Sequence, residues 1–253
     1  MASVMTSPGP FSFQAPKPQA PKPMNLREEF GDIDIYVFDQ LLRGRIASAS
    51  AAAGRYGETS PKLADSSASK GGPGVRVFDA GCGGGRNLVY LLRQGYEVFG
   101  NDASAEAIAK VRALASTVAS GFSRTDVGAD FRHEAIEDTS FEDASADVVI
   151  ASAVLHFARD DAHFEAMVRA LWRVLKPGGL FFARLASTIG VADQVRPLGD
   201  RRYRLPDGSD RYLVDAATIL DWTTRLGGDL LDPIKTTVVH DQRSMTTWVA
   251  RRR

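Results

Sequence analysis

The 253-residue chain carries 31 basic and 31 acidic side chains, so nothing global draws it to nucleic acid or to an anionic membrane surface. Its length suffices for one full α/β core with tails to spare. A single cysteine, Cys82, excludes an internal disulfide and a multi-cysteine metal site, while no apolar run reaches the length of a membrane span or a secretory signal core, so the cytoplasm is the expected compartment.

The first stretch is rich in Pro, Ala and Ser and contains the near-repeat Ala15-Pro16-Lys17-Pro18 and Ala20-Pro21-Lys22-Pro23. That composition prefers extended, solvated chain, so residues 1–24 are expected to form a disordered tail. Within residues 25–46 the apolar Ile35, Phe38, Leu42 and Ile46 recur at helical spacing and predict a helix. Residues 47–74 are dominated by Ala, Ser and Gly and read as a flexible linker. A helix on such a tether is suited to closing over a site as a lid.

From Val75 onward strand and helix patterns alternate, predicting one domain over residues 75–253. The β-branched run Val75 to Ala80 leads into Gly81, Gly83 and Gly85, the spacing GxGxG. Such a loop brings a ligand against bare backbone. A dinucleotide fingerprint would need its third glycine at position 86, where Arg86 stands. Residues 86–93 suit a helix, with Leu88, Leu91 and Leu92 on one side and Gly95 as its stop. Tyr96 to Asn101 reads as a second strand, Ser104 as the N-cap of a helix carrying Ile108, Val111 and Leu114, and strand three ends near Phe131 to Glu134. Asp147 to Ala151 suits a buried parallel strand. A helix burying Phe164, Met167, Leu171 and Val174 is expected to end at Lys176-Pro177-Gly178-Gly179, before a strand from Leu180 to Leu185. Asp215 caps a last helix through Leu226. Pro233–Val239 and Met245–Val249 are joined by a link short enough only for an antiparallel hairpin. The fold class is therefore α/β: a doubly wound, mostly parallel seven-stranded sheet with an antiparallel last strand.

Val75 to Asn87, Gly100-Asn101-Asp102 and Arg173 to Gly179, in that order and spacing, resemble landmarks of class I S-adenosylmethionine (SAM) methyltransferases of the type 11 or 25 domain. The resemblance covers residues 75–185 and implies a Rossmann-like fold with SAM as cofactor. It places Asp79, Gly81, Gly83 and Gly85 at the methionyl part of SAM and Asp102 at the ribose hydroxyls, where a carboxylate accepts two hydrogen bonds. Ala135 and Ile136 match the segment beneath the adenine. Many relatives carry an acid where this chain has Ala135, so the contact falls to backbone there or to Glu137; Glu137 and Asp138 read equally as a solvated turn. Arg86 to Leu91 and Gly95 to Val98 are similar to the tellurite-resistance branch, in which an arginine after the glycine loop pairs with the SAM carboxylate. The other reading of Arg86 is a surface arginine in a helix's first turn.

His156, just past the fourth strand, is the candidate general base; its alternative is packing against the ligand. The histidines show no metal-ligand spacing, and no metal is expected. After the fourth strand stands Ala151-Ser152-Ala153-Val154, without the Asn-Pro-Pro-Tyr signature of enzymes that methylate amino groups of DNA bases. Residues 186–214 interleave Arg196, Arg201, Arg202, Arg204 and Arg211 with Tyr203 and Tyr212, but Asp193, Asp200, Asp207, Asp210 and the following Asp215 offset them, which favours a solvated flap on the acceptor side over a nucleic-acid patch. The expected function is methyl transfer to a small-molecule acceptor, with no nucleic-acid or membrane partner. The alternatives are an RNA or protein side-chain methyltransferase and a non-catalytic SAM-binding module; an NAD(P) oxidoreductase stands last.

Overall fold

Among the described residues eleven strands and four α-helices follow one another from Arg76 to Arg252, preceded by the helix Ile35–Leu42. The structure, a computed structural model, describes residues 25, 30–46, 74–120 and 130–253. The expected tail and residues 47–73 of the expected linker lie outside them.

Strands β1 (Arg76–Ala80), β2 (Glu97–Asp102), β3 (Phe131–His133), β4 (Ala146–Ser152) and β5 (Leu175–Ala186) pair in parallel in the order β5-β4-β1-β2-β3. Beyond β5 lies β11 (Arg243–Arg252), antiparallel to it, and then β10 (Lys235–Val239), antiparallel to β11. The last strand is thus antiparallel, as expected. An eighth short strand, β9 (Gly228–Leu230), also pairs with β11, which the sequence pattern did not indicate. His240 and Asp241, both with positive φ, turn the chain between β10 and β11.

Successive residues of the central strands face opposite sides. Phe78, Val149, Phe181 and Trp248 pack with Phe164 and Leu171 of α4 (Asp161–Val174) and with Trp222 of α5 (Ala216–Arg225). Their neighbours Val77, Val148, Phe182 and Val249 pack with Leu88 and Leu91 of α2 (Leu88–Arg93) and Val111 of α3 (Ala105–Ser120). Both faces are covered, which is why β4 is buried at every position but its last. The expected caps form: Ser104 Oγ accepts from Ala107 N–H (3.2 Å) and Asp215 Oδ1 from Thr218 N–H (2.7 Å).

The helix α4 stops at Val174, earlier than the sequence suggested. A residue before proline disfavours the helical region, and Leu175 is already extended, so the chain enters β5 directly. Ala146 pairs with Leu175 and Val148 with Leu180, leaving Lys176 to Gly179 bulged out of the ladder. Lys176 does not cap a helix; its Nζ pairs with Asp147 Oδ1 at 3.0 Å.

Helix α1 (Ile35–Leu42) is docked, and not with the apolar face the spacing suggested. Val37, Gln40 and Ile46 are buried and Phe38 packs edge-on to Phe30 and Tyr90, whereas Ile35 and Leu42 are exposed. Polar contacts fix this orientation. Gln40 Nε2 donates to Asp232 Oδ2 (3.1 Å), Arg45 pairs with the same carboxylate (2.8 Å), and Tyr36 Oη bonds Thr237 Oγ1 (2.6 Å). Between β5 and α5 a three-stranded antiparallel flap forms from β6 (Arg196–Gly199), β7 (Arg202–Arg204) and β8 (Asp210–Tyr212). Among the described residues no helix is long and apolar enough to cross a membrane.

Candidate active site

The glycine loop follows β1 at the carboxyl end of the parallel strands, where doubly wound folds hold their ligands. Its glycines differ in what surrounds them. A Cβ on Gly81 would lie 2.5 Å from Val154 Cγ2, so the loop packs tightly on the segment after β4. Gly83 has φ +53° and nothing within 4 Å of a would-be Cβ: its backbone faces open space. Gly85 is pressed against Val111 and Leu114 of α3.

Asp102, at the end of β2, ties this loop down. Its Oδ2 accepts from Gly83 N–H (2.9 Å) and its Oδ1 from Ser104 N–H (2.8 Å). A carboxylate has about four acceptor positions, so two remain for further donors. Asp79 is buried beneath the loop. Burial pushes its carboxyl up to about 7, against a hydrogen bond to Asn87 and the charge of Arg86. Burial likewise raises the Cys82 thiol far above its ordinary range, which removes it as a nucleophile.

Two cavities open here. The first, about 390 Å³, is bordered by Gly81, Asp102, Ala135, Ile136 and Glu137, with Val154 and Met167 on its floor and sides. Four of the sequence-predicted positions, Gly81, Asp102, Ala135 and Ile136, thus border one cavity, with Gly83 in the adjoining loop and Asp79 near the end of β1. Glu137 is not a solvated turn residue: its Oε1 lies 2.7 Å from His163 Nε2, with the Arg159 guanidinium at 3.9 Å. Asp138 beside it is exposed.

The second cavity, about 360 Å³, lies between the flap and the ends of β4, β5 and β11. His156 lines it from a 3-10 turn (Leu155–Phe157). The ring is buried, and burial together with Arg211, Arg184 and Arg243 pushes its pKa down to about 4. His156 is therefore neutral at physiological pH. Its Nδ1 is buried and makes no hydrogen bond among the described residues. Ala153 and Phe157 border both cavities. Ala153 holds the left-handed conformation (φ +63°), rare for a residue with a side chain, at the place where the two spaces meet.

Arg86 borders the second cavity, not the first, and donates to Asp34 Oδ2 at 2.6 Å. Asp34 caps α1 through Tyr36 N–H (2.9 Å) and is buried. The same Oδ2 takes Ser152 Oγ (3.0 Å) and lies 3.4 Å from Arg184 Nη1. Asp34 and Arg184 were not singled out from the sequence. The signal for Arg184 was a charge within the apolar run Leu180 to Ala186; for Asp34 it was an N-cap aspartate before a helix. Among the described residues no three His, Cys, Asp or Glu side chains come together as metal ligands would.

Residues 78–183 match the methyltransferase domain family. An uncharacterised methyltransferase of Synechocystis sp. is 35% identical over 43% of this chain and 46% of its own. A ubiquinone biosynthesis O-methyltransferase of Xanthomonas campestris pv. campestris is 32% identical over 55% of this chain and 56% of its own. The chain thus spans about half the length of these curated relatives. Among solved structures, the Burkholderia thailandensis 1,6-didemethyltoxoflavin-N1-methyltransferase, with its substrate and S-adenosylhomocysteine bound, superposes with a TM-score of 0.55, covering 87% of this chain and 81% of that one at 17% identity. Residues 78–183 thus match a methyltransferase domain, and the fold is the Rossmann-like one that solved methyltransferases share.

Proposed function

We propose that this protein transfers the methyl group of SAM to a small-molecule acceptor by in-line displacement. One observation carries the reading: two cavities, each within the span of roughly 300–1,000 Å³ usual for small-molecule sites, share the wall formed by Ala153 and Phe157. SAM, when bound, supplies an electrophilic methyl on a sulfonium, and such a displacement depends on alignment and exclusion of water more than on proton transfer.

The first cavity suits the cofactor because its donors and acceptors match: the glycine-loop backbone at Gly81 and at the open Gly83, the Asp102 carboxylate, and the backbone of Ala135 and Ile136. Asp79 and Gly85 support the loop from beneath. The role expected of Arg86 from the tellurite-resistance resemblance, pairing with the cofactor carboxylate, requires it to share its five donors with Asp34. His156 faces the acceptor side as a neutral imidazole, able to take a hydrogen bond or a proton from an acceptor hydroxyl. The flap arginines support a small acceptor over RNA: Arg204 is paired with Asp210, and Arg201 lies 3.7 Å from Asp161 and 3.8 Å from Asp215.

The test is calorimetry with SAM, S-adenosylhomocysteine and NAD, followed by release of S-adenosylhomocysteine against fractionated metabolite pools. Tight NAD binding without a SAM signal, or SAM binding with no turnover on any pool, overturns the reading.

A further inference from the structure

The walls of the second cavity are unevenly charged. Arg86, Arg184, Arg211 and Arg243 border it, and the carboxylates that answer them are two: Asp207 on its rim and Asp34 behind Arg86 and Arg184. Asp34 occupies the inner pair. The outer pair is less engaged. The Arg211 guanidinium lies 4.9 Å over the Phe157 ring and donates only to the carbonyl of Asp210, and the Arg243 guanidinium, though its charge reaches Asp207, makes no hydrogen bond or ion pair among the described residues. Two nitrogens of the wall, Arg184 Nε and His156 Nδ1, are buried without partners. Buried polar groups are nearly always paired, and surplus cations in a cleft raise the local concentration of anions. Apart from Ser209, the remaining surface, from Phe157, Leu205, Met245 and their small aliphatic neighbours, is apolar.

We propose, resting on the methyltransferase reading above, that the acceptor is an amphipathic anion. Its carboxylate or phosphate is held by Arg211 and Arg243, and its apolar body lies on Phe157, Leu205 and Met245. Arg211 and Arg243 then select the substrate without touching the cofactor. A neutral analogue of the same shape loses the charge-assisted hydrogen bonds, a penalty on the order of 10-fold or more in affinity. Asp207, fixed by Ser209 on the rim, offsets part of the positive charge of Arg211 and Arg243.

The experiment titrates the full chain, with and without saturating S-adenosylhomocysteine, with 4-hydroxybenzoate, 4-hydroxyphenyl phosphate and neutral 4-hydroxybenzamide at constant ionic strength. Binding is followed by NMR of the His156 ring. At least one anion is expected to bind ten times more tightly than the amide or better. Arg243→Gln and Arg211→Gln should each erase most of that preference while S-adenosylhomocysteine affinity stays unchanged. Equal binding of the amide, a preference that survives both substitutions, or no anion binding at all overturns the proposal. Failure of S-adenosylhomocysteine to bind, with the anion preference intact, overturns the methyltransferase reading instead.

Discussion

Replacing Asp79 by asparagine is expected to stabilise the ligand-free protein at alkaline pH. The carboxyl is 3% exposed and burial raises its pKa from 3.8 to about 7. The folded protein therefore holds a proton that the unfolded chain has already released. Stability from this group is complete below pH 3.8 and is lost as pH rises through 7, a change of roughly 4 kcal/mol for a shift of about three units. Asp79→Asn carries no charge and escapes the loss. Thermal unfolding of both proteins from pH 4.5 to 8.5 reads the difference. The melting-temperature gap should swing towards the variant with rising pH by about 10 °C, since 1 kcal/mol moves the melting temperature of a domain this size by roughly 2–4 °C. Only the pH-dependent part matters, because a constant offset reflects packing of the new amide. If the cationic methionyl ammonium meets Asp79, binding favours the carboxylate, so calorimetry near pH 6.5 in buffers of different ionisation enthalpy should show proton release by wild type and none by the variant. Parallel melting curves across that range would refute the buried-acid argument.

His156, held down to about pH 4, should leave the turnover profile flat from pH 5.5 to 8 while His156→Asn lowers the rate on the order of 100-fold if the ring takes a proton; an inflection near 6.5 in wild type contradicts this. Because the folded pKa is depressed, the stability it contributes is present above 6.5 and lost as pH falls through 4, which acid titration of wild type against His156→Asn measures. Gly83→Val should fold yet lose SAM binding, whereas Gly81→Ala should destabilise the fold itself through Val154; folded Gly83→Val with native affinity would make the loop a mere turn. Asp34→Asn is expected to cost about 3 kcal/mol, since it leaves Arg86 and Arg184 facing each other without their shared anion, and chemical denaturation checks this. Removing residues 1–24 should leave activity intact and removing 1–46 should abolish it; transfer undiminished in the shorter protein rules out a role for α1 in closing the site.

The parallel core was readable because its information is local. β-branched runs, the glycine loop, Ser104 and Asp215 each specify their conformation within a few residues, and all formed where the pattern put them. The errors share a different origin. Helical spacing nominated Ile35 and Leu42 for burial, yet α1 is oriented by Asp34 with Arg86 and by Gln40 with Asp232, contacts made far along the chain. Lys176 suited a helix end by charge, but Asp147 across the sheet claimed it. One side of the first cavity, from Gly81, Asp102, Ala135 and Ile136, follows from motif residues. The second could not be assembled in advance, because Arg184, Arg211 and Arg243 come from three strands whose neighbours are set by topology.

The clasp of α1 on the far edge of the sheet has a consequence for biosynthesis. Gln40 and Asp232 are 192 residues apart, and Tyr36 and Thr237 are 201 apart. On the ribosome the helix emerges first and waits through the making of the entire sheet before either partner exists. Contacts of such long sequence separation form late. Arg243 and Met245, in the strand beside that edge, arrive later still and complete the second cavity. The glycine loop lies early in the domain, but the walls of the second cavity are complete only once translation has passed β11, so a half-made molecule lacks that enclosed space.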